Sequence, residues 1–352
     1  MSHTGFFTPV MVVVASVLLQ GCLEVNTSTR VRTDGSVERT VEIRGDSAEI
    51  ARGLRMMAID STWTVARFDS AGKTVRVSAT KEVVRASELS RRAGGDGSGC
   101  LRSDVTLEEH FRWFTTGYTF REIQRAWNPF DTIPLSRYFS EQEITLIKKH
   151  LLRKEPYASV EDSLAVNRMD ERGEEWLSRN LFEGFFGEFI RGVAVLNDPA
   201  HTVAAVEAQK ESLYKRVVPK APLAESKALV PACEEMFGAG FTRRVMEANA
   251  SGFERQRVRE EFYEDASSGS YASNVEMPGV IIETNAPEVE GNRVTWKDYR
   301  DKAMIDDYEM LVQSRVVNWW AVVVTVCAAA AAVVVLVLGG LRRRAPLHGA
   351  GA

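Results

Sequence analysis

A hydroxyl and an amine stand three residues apart in Ser78-Ala79-Thr80-Lys81, the S-x-x-K spacing in which a lysine one helical turn away takes the serine proton and leaves a nucleophile. The neighbouring residues do not build that turn. Val75, Val77 and Ala79 recur at period two, and in an extended strand Ser78 and Lys81 face opposite sides of a sheet. The S-D-N and K-T-G motifs that complete such a site are missing. None of the five histidines, His3, His110, His150, His201 and His348, has a second ligand at i+3 or i+4, so no helix face offers a preshaped metal pair. His110 alternates with Glu108 on a polar strand face. Asp306 and Asp307 are adjacent, but among 48 acidic residues adjacency selects nothing for proton transfer. No G-x-S-x-G, phosphate loop or C-x-x-C occurs. The sequence predicts no enzyme, no cofactor and no metal site. One side chain is singled out by position alone: the Cys22 thiol, directly behind an apolar run.

The element that positions Cys22 is Val10 to Leu19, ten apolar residues, the length of a signal-peptide h-region and too short to cross a bilayer. Leu19, Gly21 and Cys22 at positions −3, −1 and +1 resemble the lipobox of bacterial lipoproteins. That resemblance implies cleavage after residue 21 and diacylation of the Cys22 thiol by palmitate-like chains. Gln20 departs from the usual −2 residue, and residues 1–9 lack the customary Lys or Arg. The alternative is an ordinary secretory signal that happens to precede a cysteine.

At the other end, Trp319 to Leu341 is 23 residues with Thr325 its one clearly polar member. At 1.5 Å per residue such a helix is roughly 35 Å long, enough for a hydrocarbon core of about 30 Å. Trp319 and Trp320 fall where an interfacial aromatic belt sits, and Arg342, Arg343 and Arg344 follow at once, marking a cytoplasmic side. Residues 22–318 are then an extracytoplasmic domain on the bacterial plasma membrane, and 342–352 a cytoplasmic tail. Membrane lipids are the expected partner, through Cys22 and the helix. A buried core helix is rarely so long and uniformly apolar, and a removable sorting tail would call for an LPxTG-like motif, which is missing.

Of the 44 basic residues three lie beyond the apolar C-terminal run, and all 48 acidic ones lie between Glu24 and Glu309, so the intervening domain carries −7. That balance argues against a nucleic-acid partner. Cys100 and Cys233 are the two thiols left for this domain. Bonded, they would close a loop of over 130 residues, worth about 4 to 5 kcal/mol at most in the chain-entropy model; otherwise they are two free thiols.

Period-two alternation predicts a strand-rich segment over 23–127: a hairpin around Asp34-Gly35, a short helix over Ser47 to Ala58, a second strand pair around 70–73, and a hairpin turning at Thr116-Gly117. In the last, Val105, Leu107, Phe111 and Trp113 share the buried face. Ser140 with Glu143 and Ser159 with Asp162 read as helix caps and open a helical segment over 140–265. In it Phe182, Phe185, Phe186 and Phe189 form a wide apolar stripe. They are either the inner face of a helical insertion or the lining for an apolar ligand. Strands return over 270–315, where Pro278-Gly279 suits a type II turn and Val280 to Thr284 is expected to pair with Arg293 to Trp296.

Two stretches carry a further likeness. FRWFTTGYTFREI with NPFDTIPLSRYFSEQE is similar to a group of bacterial lipoproteins that also bear a C-terminal membrane helix, and MPGVIIETNAPEVEGNRVTW resembles the LppM-type lipoprotein domain. The resemblance implies a lipid-anchored α+β module and brings no catalytic residue. The expected fold is α+β: an antiparallel sheet drawn from both chain ends, which would keep lipid and membrane helix close together, with a helical insertion and one transmembrane helix. The expected role is a non-catalytic binding or envelope-assembly factor with a partner protein yet to be found; a carrier of lipid or another apolar ligand comes second and an envelope hydrolase third.

Overall fold

The computed structural model describes residues 23–69, 75–92, 100–129, 132–153, 155–217 and 226–343. Leu19, Gly21 and Cys22, the glycine-rich stretch 94–99 and the tail from 344 lie outside the described residues.

Alternating apolar residues build the first hairpin from β1 (Glu24–Val31) and β2 (Val37–Gly45). Gly35 takes φ +80 at its turn, where the Asp34 carboxylate accepts from the Ser36 amide. The chain continues through α1 (Ser47–Met56), closed at its start by a reciprocal Asp46/Glu49 capping box, then β3 (Thr64–Asp69) and β4 (Val75–Val83). Next come β5 (Ser103–Arg112) and β6 (Thr115–Gln124). The helical segment opens with α2 (Glu141–Leu146), held by the expected Ser140/Glu143 box and running into a π-helical turn. It goes on through α3 (Val160–Asn167), α4 (Asp170–Leu196), α5 (Val203–Glu207), α6 (Lys210–Val217), α7 (Ser226–Phe237), α8 (Ala239–Ala248) and α9 (Ala250–Ser268). Last come β7 (Ser270–Glu276), β8 (Val280–Thr284), β9 (Glu288–Glu290), β10 (Arg293–Lys297), α10 (Tyr299–Lys302), β11 (Tyr308–Val317) and α11 (Trp319–Arg343).

The fold is α+β and draws strands from both chain ends, but as two sheets. One runs β3-β4-β2-β1-β7-β10-β9 and the other β5-β6-β11-β8. The ends meet where β1 pairs with β7, and this seam is parallel, from Glu24↔Ser270 to Arg30↔Glu276. It is parallel because α9 returns the chain to the end at which β1 starts, where the Ser270 amide donates to the Leu23 carbonyl. β8 and β10 do not pair with each other as the sequence suggested. The Pro278-Gly279 turn carries β8 across to β11, with Gly279 at φ +77 and so close to the Arg315 carbonyl that a Cβ would fall 2.3 Å from its oxygen. The hairpin of β5 and β6 turns at Trp113-Phe114, leaving Gly117 inside β6 opposite His110.

Val25, Val41, Ile43 and Val77 of the first sheet share one core with Tyr118, Phe120, Met310 and Val312 of the second. Across this apolar layer runs an ion pair. Arg39 of β2 reaches Glu122 of β6 at 2.6 Å, both side chains almost fully buried, while its Nε donates to Thr29. Arg91 stands 3.5 Å from the same carboxylate, and Gln124 donates to it at 2.8 Å. Burial alone would raise the Glu122 carboxyl, but the charges of Arg39 and Arg91 outweigh burial and hold it below the ordinary carboxylate range.

The helices build a second core. Phe182, Phe185, Phe186 and Phe189 of α4 are buried against Val206, Leu213, Leu229, Cys233, Phe241 and Val245. The stripe lies on the inner face of the helical insertion, its rings packed on other side chains. Gly192 lets α4 and α8 touch, since a Cβ there would sit 2.5 Å from the Val245 carbonyl oxygen.

The molecule has two poles. α11 leaves the end of β11 at which Val317 pairs with Thr115. β6 is 10 residues long and so spans roughly 30 Å. Its far end leads to Trp127, whose indole donates to the Arg300 carbonyl, and Arg300 in turn donates to Gly269, next to the Ser270–Leu23 hydrogen bond. Leu23 thus lies at the pole opposite α11. The single sheet was expected to keep lipid and helix together; the direction of β1 instead puts the first described residue, Leu23, at the pole away from α11.

Replacing Glu122 by Leu should lower unfolding free energy by about 3 to 5 kcal/mol at neutral pH, because two buried guanidinium groups lose their counter-charge. A folded carboxyl held below its unfolded value stabilises above the unfolded pKa and ceases to as pH falls through the folded one. Urea titrations should therefore show the gap between wild type and variant narrowing as the pH drops below the ordinary carboxylate range.

Candidate functional site

At the pole remote from α11 a cleft of about 570 Å³ is lined by Arg91, Arg92, Arg102, Asp104, Arg125, Ala126 and Asp307. Strand ends gather it: Arg102 precedes β5 and Asp104 lies at its start, Arg125 follows β6, Asp307 precedes β11, and Arg91 is drawn in by paired backbone bonds with Ser103. Arg125 sits between two carboxylates, donating to Asp104 at 2.6 Å and to Asp307 at 2.6 Å, and these hydrogen bonds raise its pKa further. The amide of Ala126 donates to Asp307 and, with Arg125, pulls that carboxyl below its usual range. Arg102 donates to the Ala126 carbonyl. Arg91 is buried, gives its Nη2 to Gln124 at 2.9 Å, and keeps an Nε with no hydrogen-bond partner among the described residues. Four guanidinium groups against two carboxylates leave the lining with an excess of positive charge. Guanidinium groups have forked donors of the geometry that carboxylate or phosphate oxygens accept.

A smaller cleft of about 390 Å³ lies between residues 132–138, α4 and α6, with Arg137, Tyr138, Glu175, Arg179, Glu183, Lys210 and Tyr214 on its walls. Its charges largely satisfy one another. Arg179 donates to Glu183 and Glu211 at 3.0 Å each and lies 4.4 Å over the Tyr214 ring, while Lys210 reaches Glu183 at 2.5 Å. Burial pushes the Tyr138 and Tyr214 hydroxyls up, away from any role as ready bases.

At the α11 pole the tip of the β5–β6 hairpin meets the helix. Phe111 stacks on Trp320 at 6.4 Å, Trp113 meets Trp320 edge-on at 5.3 Å, and the Trp113 indole donates to Thr325 Oγ1 at 2.9 Å. Asn318, the single residue between β11 and α11, donates its side-chain amide to the carbonyls of Arg112 and Trp113, and its backbone amide to that of Phe114. α11 is the one helix among the described residues long and apolar enough to cross a membrane, over Trp319–Leu338. Phe111 and Trp113, expected on a buried face, are instead 59% and 48% exposed. The alternation that buries Val105 runs out where β5 passes the edge of the core. A sequence signal for this was present: bulky aromatics at a hairpin tip where turn chemistry prefers glycine or asparagine.

The other sequence candidates are dispersed. Ser78 and Lys81 lie on β4, and Lys81 points at the Glu88 carbonyl. His110 is exposed beside Glu108, His150 stacks on Tyr157, and His201 stacks on Phe241. Asp306 binds Lys148. No cluster of three metal-ligating side chains occurs among the described residues. Cys100 and Cys233 are both free thiols, not a disulfide: Cys233 is inside the helical core, whereas Cys100 is bonded to the Leu101 carbonyl beside the core of the sheets.

No protein-family model matches the chain, and no curated protein matches it. Among solved structures it is similar to the folded domain of LppM from Mycobacterium tuberculosis, at 9% identity and a TM-score of 0.26, covering 85% of this chain and 93% of that one. At that score the two chains share too little of their path for one to inform the other.

Burial pushes the Cys233 thiol up to about 12, so very little reactive thiolate exists near neutrality. In the native protein at pH 8, a thiol reagent should modify Cys100 well before Cys233, and Cys233 should react only on unfolding, without prior reduction. Protection of both until a reductant is added would refute the assignment of two free thiols.

Proposed function

We propose that this protein is a membrane-anchored extracytoplasmic binding factor that performs no turnover and holds an arginine-lined cleft away from the lipid surface for an anionic partner in the envelope. The observation that carries this reading is the junction at Asn318. β11 of the folded domain passes into the membrane-length α11 through that one residue, itself buried and hydrogen-bonded to the hairpin. A domain joined so tightly is held in a fixed pose, unlike one on a flexible tether.

The signal-like N-terminus and the arginines after α11 support an exported domain with its C-terminus inside the cell. In the upright pose the cleft stands about 30 Å above the surface, the length of β6. Leu23 stands at that same far pole. On this reading α11 is the anchor that sets the pose, with Cys22 acylation a separate modification. Lipid carriage loses its original motive, because the phenylalanine stripe is core.

Three measurements bear on this. A reporter fused after Ala352 should be active only inside the cell, and activity outside would overturn the topology. Cys22→Ser should leave the chain in carbonate-washed membranes, whereas deletion of 319–352 should release it. With polyphosphate as probe, Arg92→Ala combined with Arg102→Ala should weaken binding about tenfold, or about 1.4 kcal/mol, the scale of one charge-assisted hydrogen bond. Equal binding by the variant would remove the cleft from the account.

A further inference from the structure

The hairpin tip presents a combination that a water-facing turn does not need. Its side chains are apolar and exposed: Phe111, Trp113 and, at 49%, Phe114. Its backbone, in contrast, is satisfied from within. The carbonyls of Arg112, Trp113 and Phe114 all accept from Asn318, and Thr116 donates its hydroxyl to the Asn318 side-chain oxygen. In water those carbonyls would be solvated at no expense. Internal partners become necessary where water is scarce, since an unmet backbone group in an apolar medium costs several kcal/mol.

The depth follows from α11. Thr325 lies six residues beyond Trp319, about 9 Å along the helix axis. The polar layer of a bilayer is roughly 5 to 8 Å thick on each side. An indole that donates to Thr325 therefore reaches the inner boundary of that layer if Trp319 marks its outer one. The indole N–H is already paired there, and the Thr325 hydroxyl donates a hydrogen bond to the Ala321 carbonyl at 2.7 Å, so neither group is left unmet. Exposed Trp319 and Trp320 continue the apolar collar, and exposed Arg112 and Arg315 border it, where lipid phosphates would meet them.

We infer that the β5–β6 hairpin tip is a lipid-inserted wedge: Phe111, Trp113 and Phe114 enter the interfacial layer of the bilayer that α11 crosses, fixing the domain upright on it. The occupant of this apolar surface is lipid, argued from its continuity with a helix of membrane length. The inference rests on the membrane-anchored reading, and its test separates the two.

The full chain is reconstituted in vesicles of phosphatidylcholine with phosphatidylglycerol and a trace of lipid bearing a photoactivated diazirine near the top of the acyl chain, and labelled peptides are identified by mass spectrometry. Lipid adducts are expected both on α11 and on residues 111–114. Phe111→Ser, Trp113→Ser and Phe114→Ser together should abolish the hairpin adducts while those on α11 persist and the variant still unfolds in one cooperative transition, its midpoint lowered only by the lost ring contacts with Trp320. Adducts on α11 with none on the hairpin would overturn the wedge and leave the anchor standing. Adducts on neither would overturn both. Chain-to-chain crosslinks at 111–114 in place of lipid adducts would assign the collar to a second copy and also overturn the wedge.

Discussion

The relation between the two sheets depends on the contact of Arg39 with Glu122. Apolar packing is non-directional and would tolerate small slides of one sheet over the other. A guanidinium from β2 facing a carboxylate from β6 at 2.6 Å would not, because a small displacement leaves buried charge without its partner. Thr29, Gln124 and Arg91 complete the hydrogen bonding around the pair. Register between the layers is thereby set by charge, and cohesion by the valines and aromatics around it.

That register aligns features far apart in the chain. With Glu122 opposite Arg39, Tyr118 lies within hydrogen-bonding reach of the Thr33 carbonyl at 2.6 Å, which places the β1–β2 turn toward the α11 pole and Leu23 away from it. The arginine cleft forms at the far pole because three strand ends, of β5, β6 and β11, and the segment around Arg91 converge there. The arginine-lined cleft and the apolar α11 are thus separated by the length of the strands, with Asn318 the single residue between β11 and α11.

Much of this was legible in the sequence where order is local. Alternation located the strands, the Ser140/Glu143 box opened a helix, Asp34-Gly35 and Pro278-Gly279 made their turns, and unbroken apolarity marked α11. What was hidden depended on long-range choices. β8 has the pattern of a strand whichever sheet it joins, and a β1–β7 seam reads the same parallel or antiparallel. Arg39 and Glu122 are 83 residues apart, and each looks like an ordinary polar strand residue. Arg91, Arg92, Arg102 and Arg125 are scattered among 44 basic residues, with no spacing to single them out. Alternation also misled at Phe111 and Trp113, since period two reports which face a residue takes but not where along the strand the core ends.

The parallel seam also governs how this chain can fold. Arg30 and its partner Glu276 are 246 positions apart, so when β1 and β2 have already closed their hairpin the outer edge of β1 waits for β7 to be made. At ribosomal rates of about 5 to 20 residues per second that wait is on the order of 10 to 50 s. Throughout it the nascent domain exposes a ladder of unfilled donors and acceptors along β1, the arrangement that recruits foreign strands. A chaperone holding the emerging N-terminal half, or delayed collapse of that half, is the natural counterpart of such a topology.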